Sequence, residues 1–116
     1  TLDMRKPEGA ALLRRLVTEV DVVVENFSAG TMERWGLGYE TLAALNPRLI
    51  YAALSGFGQT GPYADRTSYD IIAQAMGGLM ALTGFEDGPP MRGGGSLGDF
   101  IGGAFLAIAV LGAIHH

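Results

Sequence analysis

Asp99 closes the run Gly93-Gly94-Gly95-Ser96-Leu97-Gly98 and stands directly before fifteen uncharged residues, Phe100 to Ile114. A carboxylate at the start of a helix is stabilised as an anion by the positive end of the helix dipole. The backbone amides there can also receive negative charge developing on an attacked carbonyl. Glycine puts no side chain in the way of a bulky substrate. A carboxylate so placed can act as a covalent nucleophile toward an acyl group. The plainer alternative stays open, because Asp is a favoured N-cap and glycine-rich loops commonly precede helices.

Three further stretches carry candidate chemistry. Glu25-Asn26-Phe27 follows the β-branched run Val22-Val23-Val24, with Arg34 and Trp35 a short way on. Ligands of open parallel sheets bind beyond the carboxyl ends of strands. Asn26 can hydrogen-bond an adenine or phosphate edge, Arg34 can hold a phosphate, and Phe27 or Trp35 can cover a ring. The alternative is a capped loop with a surface arginine and a core aromatic. Gly56-Phe57-Gly58-Gln59-Thr60-Gly61 matches G-x-G-x-x-G after an apolar run. A dinucleotide fingerprint must open a helix, however. Here Pro62-Tyr63-Ala64-Asp65-Arg66 follows, so a tight backbone turn is the better reading. Tyr69-Asp70 opens a helical stretch, where capping and core packing compete with a site role.

The elements that must position these residues follow from periodicity. Residues 7–19 read as a helix with Pro7 in the first turn and Leu12, Leu13, Leu16, Val17 and Val20 on one stripe. Val22–Val24 reads as a strand buried on both faces. Thr31 caps a short helix through Trp35, ended by Gly36. Another helix spans 39–45 and stops at Asn46-Pro47. Leu49–Leu54 is a second strand. Residues 68–82 read as one helix with Ile71, Ile72, Ala75, Met76, Leu79 and Met80 on its apolar side. Strand, helical crossover, strand is an α/β signature. The last helix, from about Phe100 to Ile114, covers about 22 Å at about 1.5 Å per residue. That falls short of the roughly 30 Å of a membrane core. It is expected to be a buried core helix.

Composition narrows the classes. Of 116 residues, 48% are hydrophobic and 17% charged, which is globular. A compact chain of this length buries about two-thirds of its unfolded surface. A net charge of −4 argues against general nucleic-acid binding, although Arg5-Lys6, Arg14-Arg15 and Arg34 are locally basic. The absence of cysteine removes disulfides, thiolate catalysis and cysteine-ligated metal, and fits a cytoplasmic location. His115-His116 are too few and too terminal to argue for a metal site, and no metal is expected. Both ends look cut, so the chain reads as one incomplete domain, residues 1–116.

Taken in order, these segments resemble the family III CoA-transferases, the CaiB/BaiF and formyl-CoA transferase group. The match runs through Val22-Val23-Val24-Glu25-Asn26-Phe27, Gly30-Thr31-Met32-Glu33-Arg34 and Gly36-Leu37-Gly38-Tyr39. It continues through Asn46-Pro47-Arg48-Leu49-Ile50-Tyr51, Ser55 to Tyr63, Tyr69-Asp70 with Ala73-Gln74-Ala75, and Thr83-Gly84. Gly98-Asp99 before an apolar helix completes it. The resemblance implies a Rossmann-like parallel sheet with flanking helices, part of the large domain, with a first strand before Thr1 and further portions after His116. It also implies an interlocked homodimer when full length, and a fragment inactive on its own, with a tendency to self-associate.

The resemblance further implies transfer of CoA between an acyl-CoA thioester and a carboxylic acid. Asp99 would form the covalent aspartyl intermediate, with CoA as substrate and no metal. Leu2, Arg5, Asn26, Phe27, Arg34 and Trp35 match CoA-contacting positions, Arg5 facing a phosphate. Tyr69 matches a tyrosine of the acyl pocket, which Gly98 also lines. Thr67 stands where some relatives carry a CoA-contacting lysine. Two alternatives accompany this reading. One is an α-methylacyl-CoA racemase of the same superfamily, which needs a histidine and aspartate pair. No histidine lies within residues 1–114. The other is a non-catalytic nucleotide-binding α/β module.

Overall fold

A computed structural model describes residues 1–116. The elements run α1 (Pro7–Val17), β1 (Val22–Glu25), α2 (Thr31–Arg34), α3 (Tyr39–Leu45), β2 (Ile50–Ala53), α4 (Asp70–Met76), a 3₁₀ turn (Leu79–Leu82) and α5 (Leu97–His115). β1 and β2 pair in parallel, with Val22 opposite Ile50 and Glu25 opposite Ala53. Parallel neighbours need a crossover, and α2 and α3 supply it. The expected α/β order is therefore present.

Pro7 occupies the first turn of α1, where its missing N–H is no loss. Asn46 ends α3 and uses the same side chain as a tie. Its Nδ2 donates to the carbonyls of Val17 (3.0 Å) and Val20 (2.9 Å), fastening the end of α1 to the end of α3. Ala10, Val17, Met32, Leu37, Leu42 and Leu49 form the core between α1, the crossover and the foot of β2.

Several expectations need correction. Gly30, not Thr31, is the N-cap of α2, and it sits at φ 73°, the left-handed region glycine tolerates. Thr31 is the first helical residue. Val24 is 61% exposed, because a sheet of two strands leaves both edges and much of both faces uncovered. The single helix expected over 68–82 is broken after Met76, since Gly78 turns left-handed at φ 83°. Its burial is inverted as well. Asp70 and Gln74 face inward, while Ile71, Ile72 and Met76 are exposed.

The largest departure is α5. It is long and apolar enough to cross a membrane, yet nothing in the chain buries it. It rests on α4 and β2 near its N-terminal end, where Gly102 lies against Leu54. Phe100, Ile101, Phe105, Ile108, Leu111 and Ile114 are all exposed. The expected burial of about two-thirds of the surface is not reached either: 8341 Å² stays exposed, about half of the ~17,700 Å² that an unfolded chain of this mass presents. The Cα radius of gyration is 17.3 Å, against about 13 Å for a compact domain of this size. The chain is extended along α5, and its apolar faces lack cover.

Candidate active site

The parallel strands end beside one another, and the chain leaves both into loops. After β1, the buried Glu25 carboxylate accepts the Phe27 N–H at 2.7 Å and bends the backbone back. Tyr51 of β2 reaches the same carboxylate with its hydroxyl at 3.5 Å. Burial pushes the Tyr51 phenol well above its usual range, and the Glu25 and Glu33 charges add to this. It therefore stays a protonated donor. After β2, Ser55 to Arg66 turns tightly, with Gly58 and Gly61 left-handed at φ 79° and φ 97° and no helix following. That is a turn and no dinucleotide cradle, as its sequence indicates.

Between these loops and the first turn of α5 lies a cleft of about 670 Å³. Asn26 and Phe27 come from the first loop, Ser55 and Gly56 from the second, Tyr69 from the start of α4, and Gly98 with Asp99 from α5. Asp99 is the third residue of α5, with Ser96 as the N-cap position, so the capping alternative for Asp99 is set aside. Its carboxylate is exposed and makes no hydrogen bond or ion pair within the chain. In contrast, the amides around it are partly used. Gly98 N–H donates to Asp70 Oδ1 at 2.8 Å, and Phe100 N–H to the Ser96 carbonyl at 2.9 Å.

Of the other residues read as CoA contacts, Trp35 stands behind the cleft. Its ring meets Phe27 edge-on, with centroids 5.1 Å apart. Arg34 is exposed on α2 and donates to Thr31 Oγ1 at 2.6 Å. Arg5 is exposed near the N-terminus and gripped by Asp3 through Nε (2.9 Å) and Nη2 (3.0 Å). Leu2 is also exposed there. Leu2, Arg5 and Arg34 thus do not line the cleft, whereas Asn26, Phe27, Tyr69, Gly98 and Asp99 do.

The family comparison gives this geometry its context. The chain matches CoA-transferase family III over residues 1–116. It belongs to that family. It is 56% identical over 115 residues to the succinyl-CoA–D-citramalate CoA-transferase of Chloroflexus aurantiacus, covering 99% of this chain and 29% of that protein. It is 49% identical over 114 residues to the succinate–glutarate CoA-transferase of Agrobacterium fabrum, covering 98% of this chain and 28% of that one. In three dimensions it superimposes on a CaiB/BaiF family protein from Brucella suis with a TM-score of 0.94 at 49% identity, covering 98% of this chain and 30% of that chain. The family III chain therefore spans under a third of the length of these relatives.

Two residues of this family III chain were not singled out from sequence, and a third, Asp70, has surroundings that the sequence did not show. Arg66 lines the cleft as its one cationic residue, with its guanidinium 4.1 Å from the centroid of the Tyr63 ring. Ser55 Oγ is buried in the cleft wall without a hydrogen-bond partner, a condition that costs about 1–3 kcal/mol. The third is Asp70. It is 7% exposed, and its oxygens accept from Gly98, Gln74 and Arg92. Burial alone raises its pKa. The hydrogen bonds from Gln74, Gly98 and Arg92, with the Arg92 charge, outweigh that and hold the carboxyl below its usual range.

A folded-state pKa below 3.8 means that the contribution of Asp70 to stability is complete above that value and is lost as pH falls through the folded pKa. Asp70→Asn should therefore flatten the acid limb. Below about pH 4, the melting temperature of the wild type should fall more steeply than that of the variant. Parallel acid limbs in a melt series from neutral pH downward would remove Asp70 from the acid response.

Proposed function

We propose that this chain is the nucleophile-bearing segment of a CoA-transferase of about its relatives' length. That enzyme moves CoA between an acyl-CoA and a carboxylic acid through a covalent intermediate on Asp99. The observation that carries this reading is the placement of Asp99. It is a free carboxylate on the first turn of a long helix, in a cleft at the carboxyl ends of two parallel strands.

The steps balance without redox chemistry or proton transfer. An Asp99 oxygen attacks the thioester carbonyl, the C–S bond breaks, and CoA leaves as thiolate, giving a mixed anhydride. The thiolate then attacks the Asp99 carbonyl and expels the first carboxylate, leaving CoA in thioester linkage to Asp99. The acceptor carboxylate attacks that thioester, the C–S bond breaks, CoA leaves again as thiolate, and a second mixed anhydride joins Asp99 to the acceptor. Thiolate attack on the acceptor carbonyl frees Asp99 and delivers the new acyl-CoA. Thiolate is a far better leaving group than hydroxide, so a carboxylate suffices as nucleophile. Water must be kept out, because it hydrolyses the anhydride.

The cleft suits these species. Phe27, backed by Trp35, offers a ring face or edge to a heteroaromatic group, and Asn26 offers an amide. Ser55 has an unused hydroxyl to donate to a carbonyl or phosphate oxygen. The exposed face of α5 is assigned to packing against the rest of the subunit, which also completes the acyl pocket. Within residues 1–116 the racemase reading finds no histidine beside Asp99, since both histidines lie at the far end of α5 or beyond it. The test uses the complete chain with a panel of small acyl-CoAs and free acids. CoA exchange between them supports the proposal. Substrate epimerisation without exchange replaces it with the racemase reading.

Arg66 supplies a separate prediction. Both CoA and the acids are anionic, and the Tyr63 ring holds the guanidinium in place. Arg66→Gln should raise the KM of an anionic substrate about tenfold, equivalent to about 1.4 kcal/mol, while kcat changes little. Steady-state kinetics in each substrate show which anion it reads. An unchanged KM for both removes it from the binding surface.

A further inference from the structure

We infer that Asp70, Gln74 and Arg92 form a buried clamp that sets the position of the Asp99-bearing turn, making Asp70 a positioning residue for the transfer reaction. This rests on the proposed role of Asp99.

The inward face of α4 is polar. Asp70 and Gln74 lie one helical turn apart, on the same side, and both are buried. Burying a carboxylate is expensive unless its lone pairs are filled. Here they are. Oδ1 accepts the Gly98 N–H at 2.8 Å. Oδ2 accepts Gln74 Nε2 at 2.8 Å and Arg92 through Nη2 (2.9 Å) and Nε (3.2 Å). Gln74 Oε1 in turn accepts the Gly93 N–H at 2.9 Å. Arg92 Nη2 also reaches the Gly95 carbonyl at 3.1 Å. The glycine run is therefore tied to α4 directly at Gly93 and Gly98, and at Gly95 chiefly through Arg92, immediately before Asp99.

Two details make this a positioning device and not only a core contact. First, Gly98 supplies one of the helix amides that ordinarily have no partner, and its donor bond goes to a neighbouring helix instead of water. Second, the fit is close. A Cβ at Gly98 would stand 3.0 Å from the Ala73 Cβ and 3.3 Å from Asp70 Oδ1. A Cβ at Gly93 would stand 3.0 Å from Leu97 Cδ1 and 3.3 Å from Gln74 Oε1. The glycines at these two positions admit the clamp. Gly94 and Gly95 have open space around them. Gln74 cannot turn its amide over to serve an altered partner, because its oxygen is committed to Gly93. Replacing the Asp70 carboxylate by an amide sets N–H groups either against the Gly98 N–H or against Gln74 and Arg92, whichever way the amide turns. Removing Arg92 leaves the carboxylate short of two donors.

The test uses the complete chain, with Asp70→Asn and Arg92→Gln. The Arg92 side chain is 48% exposed, so its variant opens no cavity and decides the matter if Asp70→Asn does not fold. The expected result is a single-turnover rate of Asp99 modification lowered about 10- to 100-fold, since a 1 Å misplacement of a reacting group costs that much. The dissociation constant of the acyl-CoA should stay within about threefold. In hydrogen exchange, the Gly98 amide should be protected in the wild type and lose that protection in both variants. A modification rate within about threefold of wild type in a folded variant overturns the clamp. So does an effect confined to acyl-CoA affinity. If the wild type itself never modifies Asp99, the transfer reading fails. Gly98 exchange then reads the tether alone, and unchanged protection in Asp70→Asn removes the tether as well.

Discussion

Replacing Asp99 by Ala or Asn in the complete chain is expected to abolish the covalent adduct and to lower CoA transfer by about 10³-fold or more. Two carboxylates stand in contrast here, Asp70 being hydrogen-bonded to the residue that precedes Asp99. Asp70 is buried, and four donor contacts fill its oxygens. Asp99 faces the cleft and has no partner in the chain. Only the second is free to attack. Asp99 caps nothing, so its removal should change stability only by the dipole contribution of a first-turn acid, about 0.3–1 kcal/mol. Near-total loss of activity with an almost unchanged melt is therefore the signature. The measurement is the mass of the peptide containing Asp99 after quenching with acyl-CoA. Wild type should carry added acyl or CoA mass and both variants none. An adduct that persists on another residue in Asp99→Ala moves the nucleophile elsewhere.

The strand, crossover and strand were legible because their signals are local. A β-branched run at Val22–Val24, Pro7 in the first turn of α1 and Asn46-Pro47 after α3 each act within a few residues. Burial was not legible in the same way. Ile71, Ile72 and Met76 look like the core face of α4, yet the buried face carries Asp70 and Gln74. Periodicity reports which side of a helix is apolar, but the inward side here is set by polar pairing across 22 residues to Arg92 and 28 residues to Gly98. No local rule contains that separation.

The candidate site was legible in part, because the resemblance outweighed the plainer reading of each short motif. Asn26, Phe27, Tyr69, Gly98 and Asp99 were named on that ground, and they line one cleft. Arg66 and Ser55 were missed, although a signal existed for the first. An arginine three residues after Tyr63 in a turn is placed to stack on that ring, as it does. Ser55 is ordinary in sequence, and only its buried, unpaired hydroxyl distinguishes it. The apolar stretch after Asp99 reads as a core helix by composition. Within residues 1–116 that helix stays exposed, so composition alone did not report its surroundings.

Gly56 carries the second large expected effect, and its cause is steric. A methyl group added there would overlap the Ser68 Cβ and crowd its Oγ, with the Ser68 Cα only 3.3 Å away. The φ of Gly56 is not among the left-handed ones, so the constraint is close approach and not backbone conformation. Gly56 and Ser68 both line the cleft, and Tyr69 follows Ser68 directly. Gly56→Ala must therefore push the second loop away from the start of α4. Overpacking of this kind costs about 1–3 kcal/mol, and the displaced wall should lower transfer at least about tenfold, as small misplacements near a reacting group do. Ser68→Gly removes the atoms that the new methyl meets, so the double variant Gly56→Ala/Ser68→Gly should recover most of both losses. Residues in contact couple by about 0.5–3 kcal/mol, and a double-mutant cycle by denaturant unfolding measures that coupling. Strictly additive losses would mean that the loop does not close on Ser68, and the cleft wall would have to be drawn differently.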